Sequence, residues 1–364
     1  MNRKGKNNQN MNSFVVGIDV GEQKSIATYL SPDGEVKDNF EFAMSTEGYG
    51  NFASRIPKET RIAFEASGSA YVVNNTLRKL GYSDITVAHP KELSWIVKSK
   101  KKNDRVDSLK LAKLHLVNML PESHLLNEDE RIFRDLLIQR VKLSSEISSV
   151  KNSIIGYLKR EGLYSSLPES NDSFSERRRK AIKEIRFSNQ KDLVLKTMLD
   201  RLEFFERQKE PLDGEIKKIA KNNEDVRLLM TIPGIDYYLA SLLSSYIGDI
   251  HRFQNANKLA SFFGVIPETR DSSSIKRRGH MSKEGASTAR WALSMAVDTT
   301  IIRNRSLKEY YDSVKNRKGS GKYAHVSTMR KLVRMIFLML NERKEWKYQQ
   351  QGLTESKLSR LDDD

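Results

Sequence analysis

Short apolar runs alternate with longer amphipathic stretches in the N-terminal third of the chain. The run from Phe14 to Gly21 is apolar except for one carboxylate, Asp19, and it ends in glycine. Such a run predicts a buried strand. Burying a carboxylate there is costly unless a cation lies opposite it. Asp19 therefore either faces a metal ion or a catalytic pocket, or it only begins the turn at Gly21.

Four more strands and four helices are predicted after this run. The turn Pro32–Gly34 joins the first two of these strands into a hairpin. The strands lie at Ser25–Leu30, Val36–Phe42, Arg61–Glu65 and Ile85–Ala88, and the helices at Glu47–Arg55, Tyr71–Leu80, Pro90–Val97 and from Asp104 to about Val117. Three meandering strands followed by alternating helix and strand favour a mixed α/β sheet with helices on its faces.

Further carboxylates stand at the ends of these elements. Glu65 ends the fourth strand, and Asp104 and Asp107 lie three residues apart at the start of the last helix. The two aspartates share a helix face that Leu111 and Leu114 continue, so the acidic end of this face points into the fold. The alternative is a solvated helix start, where aspartate is common for capping and dipole reasons.

The middle of the chain has a helical period. Two runs of apolar residues recur at spacings of three, four and seven, and the polar stretch Tyr164–Gln190 separates them. The runs are Leu136, Leu143, Ile147, Val150, Ile154 and Leu158, and then Leu195, Met198, Leu202, Phe205, Leu212, Ile216 and Ile219. The pattern predicts an antiparallel coiled-coil arm, its second helix broken near Pro211, or two ordinary helices packed on a domain.

The last third combines a Pro-Gly turn with a serine-rich, cationic segment. The turn at Pro233 and Gly234 lies between two apolar helices and predicts a helix-hairpin-helix-like element, whose amides can meet a phosphate. Three serines, Ser272–Ser274, precede a cationic cluster of Lys276, Arg277, Arg278, His280 and Lys283. They form either a loop that touches a DNA backbone or a serine nucleophile beside phosphate-binding cations.

Composition narrows the class of protein. The 364 residues suffice for two or three domains, and the absence of cysteine excludes disulfides and thiolate metal sites. The absence of cysteine also favours a cytoplasmic protein. No apolar run approaches the roughly 18 to 20 residues of a membrane span, so no membrane partner is predicted. Residues 1–12 are basic and Asn-rich without an apolar core, which predicts a disordered arm and not a signal peptide.

The charge favours a polyanionic partner. The formal net charge is +16 and the pI about 9.7. Between Leu229 and Tyr348 there are 21 Lys and Arg against 10 Asp and Glu, so most of the excess lies in the C-terminal third. Charge does not separate DNA from RNA, and a merely soluble basic surface is the alternative.

The order of the four carboxylates resembles the ribonuclease H-like fold, and within it the Holliday-junction resolvases of the RuvC type. This resemblance implies that the first and fourth strands are neighbours and that the last helix packs across them. Asp19, Glu65, Asp104 and Asp107 would then converge and hold Mg²⁺ or Mn²⁺, because such a density of acids needs divalent cations.

Residues 13–345 as a whole resemble the DEDD-type insertion-sequence transposases, the RNA-guided bridge recombinases that also include pilin-gene invertases. Fragments of two family signatures occur in the family's order, with a helical arm between them. The fragments are Gly17-Ile18-Asp19, Glu65-Ala66-Ser67-Gly68, Asn103-Asp104-Arg105-Val106-Asp107, Ile232-Pro233-Gly234-Ile235, Phe263-Gly264-Val265-Ile266-Pro267 and Gly279-His280-Met281-Ser282-Lys283-Glu284-Gly285.

This resemblance implies a recombinase with two catalytic elements. The acidic tetrad would bind Mg²⁺, and a C-terminal serine would form a covalent phosphoserine link to DNA. Alignment backwards from Gly279 favours Ser272, while Ser273 stays open because Ser273 and Ser274 replace the glycines that often follow this serine. The metal of one domain and the serine of the other would form a composite site, within one chain or between two.

The resemblance also implies partners and a domain plan. The partners are donor and target double-stranded DNA, a structured non-coding RNA, and further copies of the chain in a dimer or tetramer. Besides the cationic cluster, the nucleic-acid contacts expected are Lys100, Lys101, Lys102, Arg105, Arg270, Arg330 and Arg334. The plan is a RuvC-like domain at 13–125, an arm at 126–225 with a hinge around 164–190, a serine-bearing, mainly helical transposase domain at 226–348 and a polar tail at 349–364.

Two other functions fit the same residues. In a metal-dependent nuclease or junction resolvase, water attacks the phosphodiester and the serines are inert. In a nucleic-acid-binding protein with a decayed site, the acids have no chemical role.

Overall fold

The computed structural model describes residues 13–96, 104–187, 190–272, 275–283, 285–348 and 350–363, with the backbone alone at 94–96, 104 and 267–280. Contacts divide the chain into two compact units, one ending at Leu125 and the other beginning at Leu126. Among the described residues, no helix has the length and apolarity that crossing a membrane requires.

The first unit is a five-stranded sheet with helices. Its strands run in the order β3-β2-β1-β4-β5, with β1, β2 and β3 antiparallel and β1, β4 and β5 parallel. The elements are β1 (Val15–Asp19), β2 (Lys24–Leu30), β3 (Val36–Ala43), α1 (Thr46–Arg55), β4 (Arg61–Glu65), α2 (Ala70–Lys79), β5 (Ile85–Ala88), α3 (Pro90–Ile96) and α4 (Asp104–Leu116). The predicted mixed sheet and its order of elements are confirmed.

Alternation along β1 gives the sheet two apolar faces. Val16 and Ile18 join the larger core, with Phe52 of α1 and Leu77 of α2. The alternate residues, Val15 and Gly17, face the other way, and Val15 packs against Ala112 of α4 on that side. Because side chains alternate along a strand, β1 is buried on both faces, as its continuous apolar sequence predicts.

The buried guanidinium of Arg61 closes the end of the sheet at which β4 begins. Arg61 donates through Nη2 to the carbonyl oxygen of His115, at 3.3 Å, and to Oδ1 of Asn118, at 2.6 Å. Its Nε lies 3.6 Å from a carboxylate oxygen of Asp84. Both Arg61 and His115 are buried, so the guanidinium ties the C-terminal end of α4 to the sheet.

The first unit is expected to lose stability in acid because of His115. Burial, and secondarily the charge of Arg61, lowers the pKa of His115 from 6.5 to about 3. Below pH 6.5 the imidazole of His115 is therefore protonated in the unfolded chain and stays neutral in the folded chain, which favours unfolding. The stability lost between pH 6.5 and 3 is on the order of a few kcal/mol. Hydrogen exchange of β1 and β4 amides against pH would measure it.

His115→Gln is expected to flatten this acid dependence. The matched control is His251→Gln, since His251 is exposed in the second unit. Equal acid dependence of amide exchange in both variants would contradict the assignment to His115.

The second unit is mainly helical. Its longest elements are the two arm helices, α5 and α7, and a two-stranded sheet interrupts the helices near its middle. The elements are α5 (Glu128–Arg160), α6 (Glu176–Glu184), α7 (Lys191–Lys221), α8 (Glu224–Leu229), α9 (Tyr237–Ile247), α10 (Ala256–Phe262), β6 (Pro267–Ser272), β7 (Ile275–Met281), α11 (Ser287–Arg303), α12 (Arg305–Lys318), α13 (Gly321–Glu342) and α14 (Gln351–Asp362).

α5 and α7 pack together in opposite directions. Ion pairs join Arg140 to Asp213, Lys151 to Glu206 and Glu161 to Lys191, so positions that rise along α5 meet positions that fall along α7. Val150, Ile154 and Leu158 lie in a core with Leu195 and Leu202 between the helices. The antiparallel pair is present, whereas its coiled-coil character stays a prediction.

The predicted break at Pro211 is wrong. α7 runs through Pro211 without interruption. Proline removes one backbone donor and crowds one carbonyl, but Pro211 is exposed and water can reach that carbonyl. Leu202 before it and Ile216 after it are both buried, and this packing holds the two halves in one helix.

The polar stretch between the arm helices contains α6. Phe174 and Ile182 from this stretch are buried in the arm core. Arg179 donates to both carboxylate oxygens of Glu206 on α7. Of the hinge predicted around 164–190, the described part is therefore packed against the arm.

The Pro-Gly turn lies inside the second unit. Pro233 is buried and Gly234 half-buried, and a Cβ on Gly234 would come 2.6 Å from the carbonyl oxygen of Thr299 on α11. Its φ of +93° also favours glycine. A phosphate contact by the turn amides, which the sequence suggested, stays a prediction.

α14 closes the other side of this turn. The Nζ of Lys357 donates to the carbonyl oxygens of Met230, Ile232 and Ile235. Leu361 lies in the main core of the unit. The segment that the sequence suggested to be a polar tail thus contains a packed helix.

Candidate active site

Two of the predicted acids end neighbouring parallel strands. Ile18 of β1 pairs with Phe64 of β4, so the next residues, Asp19 and Glu65, occupy the following position on the two strands. Adjacent strands lie about 4.8 Å apart. The sheet therefore brings two carboxylates side by side at one edge, although they are distant in sequence.

The same alternation directs both acids toward α4. Position 17 of β1 faces α4, because a Cβ on Gly17 would lie 2.2 Å from the carbonyl oxygen of Ser108 and 2.4 Å from the amide nitrogen of Ala112. Asp19 is two residues further on the same face. Ala63 of β4 pairs with Gly17. Glu65 is two residues after Ala63, so it lies on the same face of the sheet as Asp19.

The direction of α4 places its first turn at this edge. His115, near its C-terminal end, contacts Arg61, which pairs with Val15. Ser108, two turns earlier, lies over Gly17. One more turn back spans about 6 Å, nearly the 6.6 Å of two strand residues, so position 104 comes level with Asp19. The side chain of Asp104 is outside the described residues, and its role stays a prediction.

Asp107 lies on the β5 side of the same turn. Leu111, one turn later, packs with Ala88 of β5, and Ala88 pairs with Glu65. The carboxylate of Asp107 is 2.7 Å from Nζ of Lys110, and both side chains are partly exposed. Lys110 therefore places a cation beside the acidic edge, which is the sheet edge where Asp19 and Glu65 end their strands. The sequence did not predict this cation.

A buried polar network supports this part of α4. Thr28 of β2 and Ser108 of α4 share a hydrogen bond of 2.7 Å between their hydroxyls. Asn39 of β3 donates to the Thr28 hydroxyl, also at 2.7 Å, and Ser108 donates to the carbonyl oxygen of Arg105. Because buried hydroxyls are costly without partners, this network fixes the rotation of α4 over the sheet.

The donor set fits a hard divalent cation. Asp19 is half-buried and Glu65 exposed at the edge, and Asp19, Glu65 and Asp107 offer only carboxylate oxygens, the ligands that Mg²⁺ and Mn²⁺ prefer. Among the described residues, no three acids, histidines or cysteines lie close enough to form a metal centre by themselves. The predicted tetrad needs Asp104, whose side chain the structure does not describe.

The predicted serine lies on a β-hairpin where the sequence suggested a loop. Ser272 ends β6 and pairs with Ile275, the first residue of β7, while Ser273 falls outside the described residues. Most residues of both strands are polar or charged, so no alternation of apolar and polar residues predicts these strands from the sequence.

The hairpin register pairs one cationic residue with another and one acidic residue with a cationic one. Arg270 pairs with Arg277, and Asp271 with Lys276. Like charges on paired positions repel unless an anion balances them. The side chains of Arg270, Ser272, Lys276, Arg277, Arg278 and His280 are outside the described residues, so their predicted contacts with nucleic acid stay predictions.

The remaining predicted contacts are scattered. Lys100, Lys101 and Lys102 lie outside the described residues, and Arg105 and Lys283 are exposed. Arg334 is exposed on α13, where Nη2 lies 3.5 Å from Oδ1 of Asn257, and Arg330 is half-buried on the same helix. Their role in binding nucleic acid is untested.

Comparison with known proteins matches both units. A family model described as a transposase of the DEDD, IS110 type matches residues 16–161. A second model, described as the transposase IS116/IS110/IS902 family, matches residues 226–312. Both matched segments are similar to DEDD transposases of the IS110/IS116 family. A DEDD transposase domain implies the RNase H-like fold, and the mixed sheet of the first unit agrees with it.

Three curated relatives are proteins of insertion sequence elements. The transposase for insertion sequence element IS1111A of Coxiella burnetii is 34% identical over 73 residues, 20% of each chain. The uncharacterized 44.8 kDa protein of insertion element IS116 from Streptomyces clavuligerus is 24% identical over 36% of this chain and 33% of its own. The uncharacterized 43.6 kDa protein of insertion element IS110 from Streptomyces coelicolor is 22% identical over 42% of this chain and 37% of its own.

These matches span between a fifth and about a third of the length of the curated relatives. They leave the activity, substrates and partners of this chain to be inferred.

Proposed function

We propose that this chain is an insertion-sequence transposase that cuts and rejoins DNA. The observation that carries the proposal is the register of Asp19 and Glu65 on neighbouring parallel strands, beneath the first turn of α4. Two transposase family models that match the two units support it. The net charge of +16 suits a DNA substrate.

The acidic edge is proposed to hold Mg²⁺ or Mn²⁺. Asp19, Glu65, Asp104 and Asp107 would be the ligands, with Lys110 balancing the charge of Asp107 when the site is empty. When bound, the cations stabilise the charge that develops on a phosphodiester during its attack. Gly17 contributes by letting α4 approach β1 closely enough to bring its first turn to this edge.

The attacking group is proposed to be a serine of the β6–β7 hairpin, Ser272 in preference to Ser273. The serine oxygen would form a bond to phosphorus as one DNA strand leaves, and the joining step would reverse this, so the bond energy is conserved. Arg277 and Lys276, which pair with Arg270 and Asp271 on this hairpin, would hold the phosphate. A structured RNA that pairs with donor and target DNA is proposed as guide, with assembly into a dimer or tetramer.

Replacing Ser272 with alanine tests the nucleophile. Ser272→Ala is expected to abolish the covalent protein–DNA adduct, because the hydroxyl that attacks phosphorus is gone. The measurement is a denaturing gel of labelled DNA incubated with protein, Mg²⁺ and the RNA encoded beside the element. Ser273→Ala, the matched control, is expected to keep the adduct within a few-fold of wild type. An adduct that survives Ser272→Ala and disappears in Ser273→Ala would move the role to Ser273.

A metal-dependent nuclease is the second candidate. The acidic edge of the first unit, once it holds divalent cations, would by itself suffice for attack by water. Cleavage without any adduct, unchanged in Ser272→Ala and Ser273→Ala, would favour this alternative.

A further inference from the structure

A serine, a histidine and an aspartate meet between α11 and α13. The Oγ of Ser294 and Nε2 of His325 are 2.9 Å apart. On the other side of the ring, Nδ1 of His325 is 3.4 Å from Oδ1 of Asp298. The hydroxyl, the imidazole and the carboxylate thus follow one another in the order that activates a serine nucleophile.

The two helices impose this order. Ser294 and Asp298 are four residues apart on α11, so they lie on one face of the helix, one turn apart. α13 brings His325 against that face. In the tautomer that carries its proton on Nδ1, which faces Asp298, Nε2 is the acceptor for the serine proton.

The cluster is reachable from solvent. Ser294 is half-buried, and the side chains of His325 and Asp298 are 22% and 53% exposed. A structural hydrogen bond that only joins two helices needs no access. A nucleophile needs a hydroxyl that a substrate can reach and a base that is screened in part from water, and the half-buried Ser294 and the 22% exposed His325 fit these needs.

Cations flank the cluster. Arg290 lies one turn before Ser294 on α11, and Lys322 one turn before His325 on α13. The amides around a residue in the middle of a helix are engaged in the helix itself, so they cannot form the oxyanion hole that acyl transfer uses. Cationic side chains instead suit a substrate whose charge is already negative, such as a phosphate ester.

We propose that Ser294 is a second reactive serine, activated by His325 and Asp298 toward phosphorus centres of phosphate esters. The proposal rests on the proposed function for its substrate class, and it does not depend on Ser272. In the step, the Ser294 hydroxyl gives its proton to Nε2 of His325 while its oxygen bonds to phosphorus. The bond from phosphorus to the leaving oxygen breaks, and that oxygen takes the proton from His325.

A fluorophosphonate probe tests this serine without DNA. The full-length protein is incubated with the probe, and the labelled residue and the labelling rate are determined by mass spectrometry; fluoride is the leaving group. Labelling at Ser294 is expected, at a rate on the order of 100-fold above that of His325→Ala, because a positioned base contributes about this factor. Asp298→Asn is expected to lower the rate about tenfold by loosening the ring.

Two controls separate reactivity from structure. Ser287→Ala, on the exposed start of α11, is expected to label like wild type. Imidazole added to His325→Ala is expected to restore labelling of Ser294, which a merely structural histidine would not permit. No label at Ser294, or equal rates in wild type and His325→Ala, would overturn the proposal.

The same experiment distinguishes this inference from the proposed function. Ser272→Ala should lose the DNA adduct and still label at Ser294 with the probe. A DNA adduct that depends on Ser272, together with an unreactive Ser294, would overturn only the second serine. A reactive Ser294 in a protein that forms no DNA adduct would overturn only the serine step of the transposase.

Discussion

Replacing Asp19 with asparagine is expected to lower the rate of DNA cleavage by about 10³-fold or more. The carboxylate ends β1 beside Glu65 and below the first turn of α4. Loss of its charge weakens the binding of a divalent cation. Such a cation contributes several kcal/mol to the stabilisation of the transition state. Each loss of about 1.4 kcal/mol lowers the rate tenfold. Cleavage of labelled DNA in Mg²⁺ measures the effect, and Mn²⁺ binding followed by electron paramagnetic resonance provides a second readout.

The matched control for Asp19→Asn is Asp38→Asn. Asp38 lies on β3, and its exposed carboxylate pairs with Arg55, so the charge change is the same while the acidic edge is untouched. Its cleavage rate is expected to stay within twofold of wild type. Cleavage by Asp19→Asn within tenfold of wild type, with unchanged Mn²⁺ binding, would remove Asp19 from the metal site.

Replacing Gly17 with valine is expected to displace α4 from the sheet and abolish DNA cleavage, although glycine has no side chain that could take part in the reaction. Even the first added carbon would lie 2.2 Å from the Ser108 carbonyl oxygen and 2.4 Å from the Ala112 amide nitrogen. Both are backbone atoms, so the helix itself must move. Overpacking costs about 1 to 3 kcal/mol even when side chains can adjust, and a shift of α4 also breaks the hydrogen bond between Thr28 and Ser108.

Hydrogen exchange of the α4 amides would show this displacement directly. Gly50→Ala is the control, because Gly50 is exposed in α1 and no atom lies within 4 Å of the position of an added Cβ. That substitution is expected to stabilise the protein slightly, since alanine favours helix over glycine. Normal protection of α4 in Gly17→Val would contradict the close approach.

The sequence predicted the first unit well because its signals are local. The apolar run of β1 and the turn after β2 predicted strands and a hairpin. The convergence of the four carboxylates, which the family resemblance implied, stays a prediction beyond the neighbouring positions of Asp19 and Glu65. The close seating of α4 on Gly17 was not predicted, because a glycine in a strand does not reveal which element lies above it. The pairing of Asp107 with Lys110 was missed for a similar reason, since charged residues three apart are common on solvated helices.

The second unit was harder to predict where charged residues form regular structure. β6 and β7 consist largely of polar and charged residues, so their pairing depends on backbone hydrogen bonds that no side-chain pattern indicates. α14 looked like a tail because few of its residues are apolar, yet Leu361 and the ammonium of Lys357 attach it to the rest of the unit. The meeting of Ser294 with His325 requires two helices to pack, and periodicity alone does not say which helices do so.

The parallel pairing of β1 with β4 also sets when the chain can become chemically competent during synthesis. Asp19 leaves the ribosome early. Its neighbour Glu65 follows after the β2–β3 hairpin and one helix, and the first turn of α4 follows only after two more helices and a further strand. Ribosomes add residues one after another from the N-terminus, so a nascent chain that stops short of α4 has a sheet edge but no complete acidic centre. A truncated translation product of this length would therefore lack the proposed metal site and, with it, the proposed cleavage activity.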